Sequence, residues 1–497
     1  MNPGRFGFED YATNFELDAD VCVIGSGAGG SALACAVAET GRSVVVLEAG
    51  RHWKPSQFQP HAPWAFKHLY DGRGTRAARG NAIVPIPGGR GVGGSTLINS
   101  AICFRTPPSV LEAWRERGLH RLDPAWMEAT FARIWRTIGV TVNPPEVQRN
   151  NNHILKKGAE ALGMSGAWMA RSAPGCTGCG TCQQGCPTGG KLSVDRTFLT
   201  EAINHGNVGV YADCRVEGVE SEGGRVGAVT GRTQEPVNYT DAGSFRVRAR
   251  HFVLAAGAIQ TPRFLLRNGL GGGPVGEHLH IHPTSGVLAR FDTEILPWHG
   301  VTQGYYVDCW ERGFLLQTFC APPDQYYAIV PSGGDAALEV LANLRYYGSG
   351  GVVVHDVDSV GSVGVHALTY ALGDADRRTL LDGLRTMARV YFAAGANHVV
   401  VGASGSRFIT SEAELARALP DDIPAHDLAL YAAHPMGTAR MGPDPRDAVV
   451  DPDGRVWGWD NLWVSDASVF PTSLGVNPQV TVMAMGLTIG RQVAAAV

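Results

Sequence analysis

Four things are scarce in this 497-residue chain, and each scarcity removes a class of function. Charge is sparse, with 18% of residues ionisable acids or bases and a net of −4 at pH 7. There is no basic surplus to track a phosphate backbone, so no nucleic-acid footprint. Apolar runs are short: no stretch of about eighteen residues is uninterrupted by polar ones, so no membrane span is expected. The opening MNPGRFGFEDYATNFELDAD lacks a basic region followed by an apolar one, which argues against a cleaved leader and for a cytoplasmic location. Repeats and low-complexity tracts are also lacking. Glycine, by contrast, is plentiful at 64 residues, as expected where several loops bring backbone close to a bound group. The length suits two or three domain-sized units.

The glycines fall into a mechanical pattern. Gly25, Gly27 and Gly30 in VCVIGSGAGG have G-x-G-x-x-G spacing. The residues Asp20–Ile24 before them read as a strand, Ser31–Glu39 as a helix and VVVLEAG as a second strand. In such a βαβ unit the first glycine permits the tight turn. The second lets backbone approach a pyrophosphate, and the third lets helix pack on strand, with the helix N-terminus offering free N–H groups to phosphate. Glu48 closes the second strand, where a carboxylate can accept from ribose hydroxyls. The unit predicts dinucleotide binding.

Other elements of the same kind are scattered, so the nucleotide-binding domain should be discontinuous. IPGGRGVGGSTLINSAICF contains Gly88, Gly89, Gly91, Gly93 and Gly94, a loop nearly without side chains that suits passage over a flat ring or a phosphate. FRVRARHFVLAAGAIQTPRFLLRNG reads as a strand, then Gly257, then a helix beginning near Thr261 and Pro262, where proline at a helix start is natural. NLWVSDASVFP gives a strand ending at Ser465 and Asp466, and VTVMAMGLTIGRQVAAAV a closing apolar helix. Between about Gly286 and Ala429 these motifs stop, and that segment should bind substrate. Its aromatics Trp298, Tyr305, Tyr306, Trp310, Phe314, Phe319, Tyr326 and Tyr327 read mainly as core. Leu380, Leu384, Met387 and Tyr391 recur at helical spacing and read as a buried face. His278, His280 and His282 in GEHLHIHP alternate as on a strand and read as structural. The segment is acidic on balance, which leaves room for a cationic substrate as well as a lipophilic one.

Five blocks in this order, VCVIGSGAGG with LEAG, GGRGVGGSTLIN, LAAGAIQTPRFLL, HPMGTARMG and VSDASVFPTSLGVNPQVT, make the chain resemble the glucose-methanol-choline (GMC) oxidoreductases along nearly its whole length. The closest flavour is the branch of cholesterol oxidases and long-chain alcohol oxidases, because GVNPQVT supplies Asn477 where other branches often carry a second histidine. The resemblance implies an α/β flavoprotein: a Rossmann-like FAD domain (15–105, 190–285 and 430–497) beside a substrate domain on a largely antiparallel sheet (286–429). An insertion (106–189) carries a cysteine-rich loop. By motif, FAD contacts fall on Gly25, Gly27, Ala28, Gly29, Gly30, Glu48 and Ala49, and on Arg90, Gly93, Gly94, Ser95 and Asn99 in the glycine loop. Val216 should meet the adenine through its backbone. Ala256 and Gly257, Asp466 and Ala467, and Asn477 and Pro478 complete the set. Some members bind FAD covalently through a histidine in the GGSTLIN block; the matching position here is Ile98, so FAD should be held non-covalently.

The implied chemistry is oxidation of an alcohol to an aldehyde or ketone, with oxygen or another acceptor taking the electrons. A carbinol carbon must give hydride to flavin N5 while the hydroxyl loses a proton. An imidazole with an unperturbed pKa of about 6.5 can take that proton, and His434 is the candidate, with Asn477 orienting the hydroxyl. Lipophilic alcohols or sterols, and sugar or amino-sugar alcohols, are the substrate classes in view. Cys176, Cys179, Cys182 and Cys186 have the C-x₂-C-x₂-C-x₃-C-P spacing of bacterial ferredoxins, so an iron–sulfur cluster stands beside a metal-free loop or a disulfide as a reading of CTGCGTCQQGCP. Two rivals remain: a hydroxynitrile-type lyase on the same fold, and a flavin/iron–sulfur electron-transfer subunit.

Overall fold

A computed structural model describes residues 3–326, 330, 334–404 and 408–497; Tyr327 lies outside them. Its larger sheet has eight strands. In spatial order these are Gly4–Phe6, Val208–Tyr211, Val44–Leu47, Phe15–Ile24, Asp241–Leu254, Arg225–Gln234 and Cys214–Glu222, with Leu462–Val464 also paired to Asp241–Leu254. From Gly4–Phe6 through Asp241–Leu254 and on to Leu462–Val464 every pairing is parallel. The remaining strands form an antiparallel meander. Val44–Leu47 and Val208–Tyr211 are buried along their whole length, as expected for strands covered on both faces.

The register explains why scattered motifs meet. Ile24 lies opposite Leu47 and Leu254, and Leu254 lies opposite Val464. All four strands therefore end at one carboxyl edge, the crevice where open α/β sheets bind ligands. The first helix, Ala28–Ala38, packs against the last, Gln479–Ala496. The contact is close because Gly29 and Gly486 meet there; a Cβ on Gly486 would stand 2.6 Å from the Gly29 carbonyl oxygen.

A second, six-stranded sheet is antiparallel throughout: His398–Val401, Thr284–Arg290, Tyr347–Val354, Phe314–Thr318, Tyr305–Cys309 and Gly166–Trp168. The helix Asp374–Ala394 covers it with Leu380, Leu384, Met387 and Tyr391, all fully buried. Tyr305, Phe314 and Tyr326 are likewise core. A four-stranded sheet built from residues 77–85 and 360–371 lies alongside. No helix among the described residues is long and apolar enough to cross a membrane.

Two expectations need correction. The helix after Leu254 starts at Gly257, so Pro262 is inside it. A proline there cannot donate to the carbonyl one turn back, that of Ala258; Thr438 Oγ1 donates to that oxygen instead, at 2.6 Å. The His278–His282 stretch is no strand. His278 and His282 have φ of 60° and 53°, and the strand begins only at Thr284.

Candidate active site

At the carboxyl edge of the larger sheet, backbone forms an open cradle. Gly27 caps the first helix, and a Cβ built on it would meet nothing within 4 Å. Gly94, with φ of 55°, brings the glycine loop onto this turn, its own Cβ position only 2.8 Å from Gly27 Cα. A side chain at Gly94 would close the gap, whereas bare backbone leaves room for a pyrophosphate with the N–H groups of Ala28, Gly29 and Gly30 nearby. Glu48 is buried, and burial raises its pKa against the pull of its donors. It accepts from Ser26 N and Oγ, at 3.1 and 2.7 Å, and from Gly50 N at 2.9 Å. Cys214 N donates to the Glu48 backbone carbonyl at 2.8 Å, so Val216, two residues further along an edge strand, lies near the end of the Glu48 strand.

The other expected residues are drawn to the same edge, several of them in supporting roles. Arg90 Nη2 donates to Ala49 O and Gln234 Oε1, at 3.0 and 2.6 Å, with its guanidinium over Tyr239, and its Nε is buried without a partner. Ser95 Oγ accepts from Gly89 N, which folds the loop holding Gly93 back on itself. Asp466 accepts from Gly257 N, Thr261 Oγ1 and Ser468 N. Its carboxylate thus ties the start of the 257–267 helix, after Ala256, to the turn at Ala467. The cradle and the unpartnered Arg90 Nε fit a dinucleotide.

His434 and Asn477 meet beside this edge. The backbone before His434 is pinned by Tyr431 to Thr284, and Met436 pairs with His280. Ala467 O accepts from Gly437 N at 3.0 Å, tying the histidine loop to the cradle. Asn477 precedes Pro478, the cap of the last helix, and Gln479 Oε1 accepts from Asn99 Nδ2 at 2.8 Å. Asn477 Nδ2 lies 3.2 Å from His434 Nε2, and Gln317 Nε2 donates to Asn477 Oδ1 at 2.8 Å. Burial lowers the pKa of His434 to about 4, opposed by the charge of Asp356, so the ring is neutral at pH 7.

Comparison with known proteins places this geometry. The chain matches the GMC oxidoreductase family over residues 66–284 and 349–486. It is 36% identical over 487 residues to a GMC-type oxidoreductase of Mycobacterium tuberculosis, covering 96% of this chain and 76% of that one. The chain belongs to the GMC oxidoreductases. It is also 28% identical to a long-chain-alcohol oxidase, FAO3, of Arabidopsis thaliana, covering 96% of this chain and 68% of that one. Its fold matches the crystal structure of pyridoxine 4-oxidase from Mesorbium loti with a TM-score of 0.72 at 22% identity, covering 95% and 99% of the two chains. Members of this family are FAD-dependent oxidoreductases acting on CH–OH groups.

In this GMC oxidoreductase the residues missed by sequence reading are those behind the histidine. His282, expected to be structural, places its Nδ1 3.1 Å from His434 Nδ1. Asp356, fully buried, accepts from Ile281 N, His282 N, Tyr370 Oη and Ser473 Oγ and lies 3.5 Å from His280 Nδ1. Burial opposes its ionisation, but these partners prevail and hold its pKa well below the usual carboxylate range. Nothing in the motif spacing points to Asp356; only the alternation of histidines hinted at His282.

In the cysteine loop the four sulfurs point to different partners. Among the described residues, no three of Cys176, Cys179, Cys182 and Cys186 bring their sulfurs within the reach of one ion, and all four are free thiols. Each sulfur has a protein partner instead. Arg171 Nη1 and Nη2 donate to Cys176 and Cys182, Cys179 contacts Thr181, and Cys186 accepts from Lys191 N. Arg171 and Lys191 are themselves buried, and they donate to the carbonyls of Ser100, Leu97, Asn99 and Cys182. The loop therefore braces the glycine loop from below.

Proposed function

We propose that this enzyme oxidises an alcohol to an aldehyde or ketone, with His434 taking the hydroxyl proton and Asn477 orienting the oxygen. The observation carrying the reading is the contact of His434 Nε2 with the Asn477 amide, 3.2 Å apart, two residues before Gln479, which accepts from Asn99 of the glycine loop. Bound FAD would supply the hydride acceptor. The protein's part is to hold the hydroxyl between an imidazole and an amide, keep the ring neutral, and place an anion, Asp356, near enough to favour the imidazolium that forms. General-base help of this kind is worth roughly 10²–10⁴-fold.

FAD is held without a covalent bond, because Ile98 is a buried hydrocarbon with no nucleophile to offer. Acid precipitation should therefore leave the flavin in the supernatant; flavin remaining on the pellet would overturn this part. The long-chain-alcohol oxidase relative directs a substrate screen to lipophilic alcohols first and to sugar or amino-sugar alcohols second. The deciding experiment is anaerobic mixing with alcohols while following flavin absorbance. Bleaching supports oxidation. A lyase or an electron-transfer subunit would leave the flavin oxidised under every alcohol tried, and repeating the bleached sample with oxygen or artificial acceptors separates oxidase from dehydrogenase.

A further inference from the structure

One end of the hydrogen-bond chain through the site has a fixed direction. The backbone N–H of Gly475 donates to His282 Nε2 at 2.8 Å. A backbone nitrogen has no lone pair to offer, so Nε2 must be the acceptor. His282 is fully buried, and that burial keeps its ring neutral against the pull of the Asp356 carboxylate. A neutral imidazole carries one hydrogen, here on Nδ1. That nitrogen lies 3.1 Å from His434 Nδ1, which must in turn accept.

We infer that His282 is a positioning residue that holds the resting His434 with its hydrogen on Nε2. His434 then meets an alcohol first as a hydrogen-bond donor, and it becomes a base only when the 475–477 loop releases the Gly475 amide. This rests on the proposed role of His434 for what the ring meets, and goes beyond it in assigning the proton. With no alcohol present, Nε2–H needs an acceptor. The Asn477 carboxamide then turns its oxygen to His434 and its nitrogen to Gln317, and the Gln317 carboxamide turns with it so that its Oε1 accepts, the reverse of the orientation in which Gln317 Nε2 donates to Asn477 Oδ1.

To accept the alcohol's proton on Nε2, His434 must carry its own hydrogen on Nδ1, facing His282 Nδ1. His282 must then carry its hydrogen on Nε2, where the Gly475 N–H now stands. The shared proton passes from His282 Nδ1 to His434 Nδ1, while one proton leaves His434 Nε2 and one arrives at His282 Nε2; each ring stays neutral, and the bonds given up are those of His282 Nε2 to Gly475 and of His434 Nε2–H to Asn477. Gly475 is two residues before Asn477, and Trp310 packs against it so closely that a Cβ there would stand 2.4 Å from the indole. A shift that frees the amide must therefore carry Asn477 and disturb Trp310. An alcohol seated against Asn477 is in this way coupled to the proton state of His434.

The backbone favours the same reading. His282 is a buried non-glycine residue at φ 53°, a conformation that persists only where its surroundings enforce it. The enforcing groups are the Asp356 oxygens that accept its N–H and that of Ile281.

The test is the nitrogen spectrum of the flavin-loaded, alcohol-free enzyme labelled with ¹⁵N-histidine. Long-range ¹H–¹⁵N correlations distinguish the tautomers, and His434→Gln and His282→Gln variants assign the two rings. The expected result at pH 7 is His282 with its hydrogen on Nδ1 and His434 with its hydrogen on Nε2. His434 with hydrogen on Nδ1, as an equal mixture, or doubly protonated would overturn the inference. A His282→Leu variant sharpens it: His434 should become a mixture of tautomers, and a spectrum still showing only Nε2–H would remove His282 from the role. Since these signals are read without alcohol, they stand apart from whether His434 proves to be the base.

Discussion

Two buried polar clusters adjoin the glycine loop, and they handle charge in opposite ways. Around His434 and Asn477 the working groups are neutral, and the full charge nearby is Asp356, an anion fixed by backbone and hydroxyl donors. Around Cys182 two basic side chains, Arg171 and Lys191, are buried, and among the described residues their hydrogen bonds go to no carboxylate. Their N–H groups reach carbonyls and sulfur instead. Burial would raise the Cys182 thiol, yet these two cations lower its pKa on balance. The ring proposed to gain and lose a proton is kept uncharged beside a spare anion. Groups that only hold a loop can stay charged if their donors find acceptors.

The sharpest way to break this contrast is at His434. His434→Ala should keep FAD bound yet slow anaerobic flavin reduction on the order of 10²-fold or more; reduction at the wild-type rate would make the neutral cluster merely structural. Cys182→Ala tests the charged cluster. It leaves the buried Arg171 Nη2 short of an acceptor and should lower unfolding free energy by about 2 kcal/mol, read by thermal or denaturant melting. An unshifted melt would mean the sulfur balances nothing.

The pH profile of flavin reduction comes next. The pKa of His434 is lowered to about 4, so the unprotonated ring dominates above that value. The rate should be flat between pH 8 and 6 and fall only near 4, whereas a fall centred on about 6.5 would describe a solvated histidine. Asp356→Asn should move that acid limb lower still, because the carboxylate charge is what resists the effect of burial. An acid limb that stays in place would show that Asp356 acts only through the backbone it holds. The smallest effect is expected at Cys179, which is exposed; Cys179→Ala should change stability by less than about 0.5 kcal/mol.

What was legible in the sequence follows the same division. The cradle is made of backbone, and backbone geometry leaves a local signature: Gly25, Gly27 and Gly30 between strand and helix, and the glycine pairs before Ser95. His434 and Asn477 were legible through the blocks that hold them. Asp356 and His282 were not, since their roles come from a loop crossing between two sheets, and no residue next to either in sequence records that crossing. Pro262 misled for a related reason. Proline inside a helix is disfavoured locally, and the hydroxyl that satisfies the carbonyl it leaves free, Thr438 Oγ1, is 176 residues away in the chain. The cysteine spacing was compatible with a ferredoxin-like ligand set, but spacing says nothing of Arg171, whose guanidinium lies against two of the sulfurs.

The pairing of Leu462–Val464 with Asp241–Leu254 has a consequence for biosynthesis. The last parallel strand of the larger sheet, the Asp466 carboxylate and the helix that packs on Ala28–Ala38 all come from the final tenth of the chain. A nascent chain that has already made its G-x-G-x-x-G turn still lacks these parts while the ribosome is translating. Contacts so distant in sequence are slow to form, and the unpaired edge of the Asp241–Leu254 strand stays exposed to neighbouring chains until they do. Cofactor capture should therefore be a late, post-translational event, and truncation of even the last two dozen residues should yield a chain that aggregates instead of one that merely binds flavin weakly.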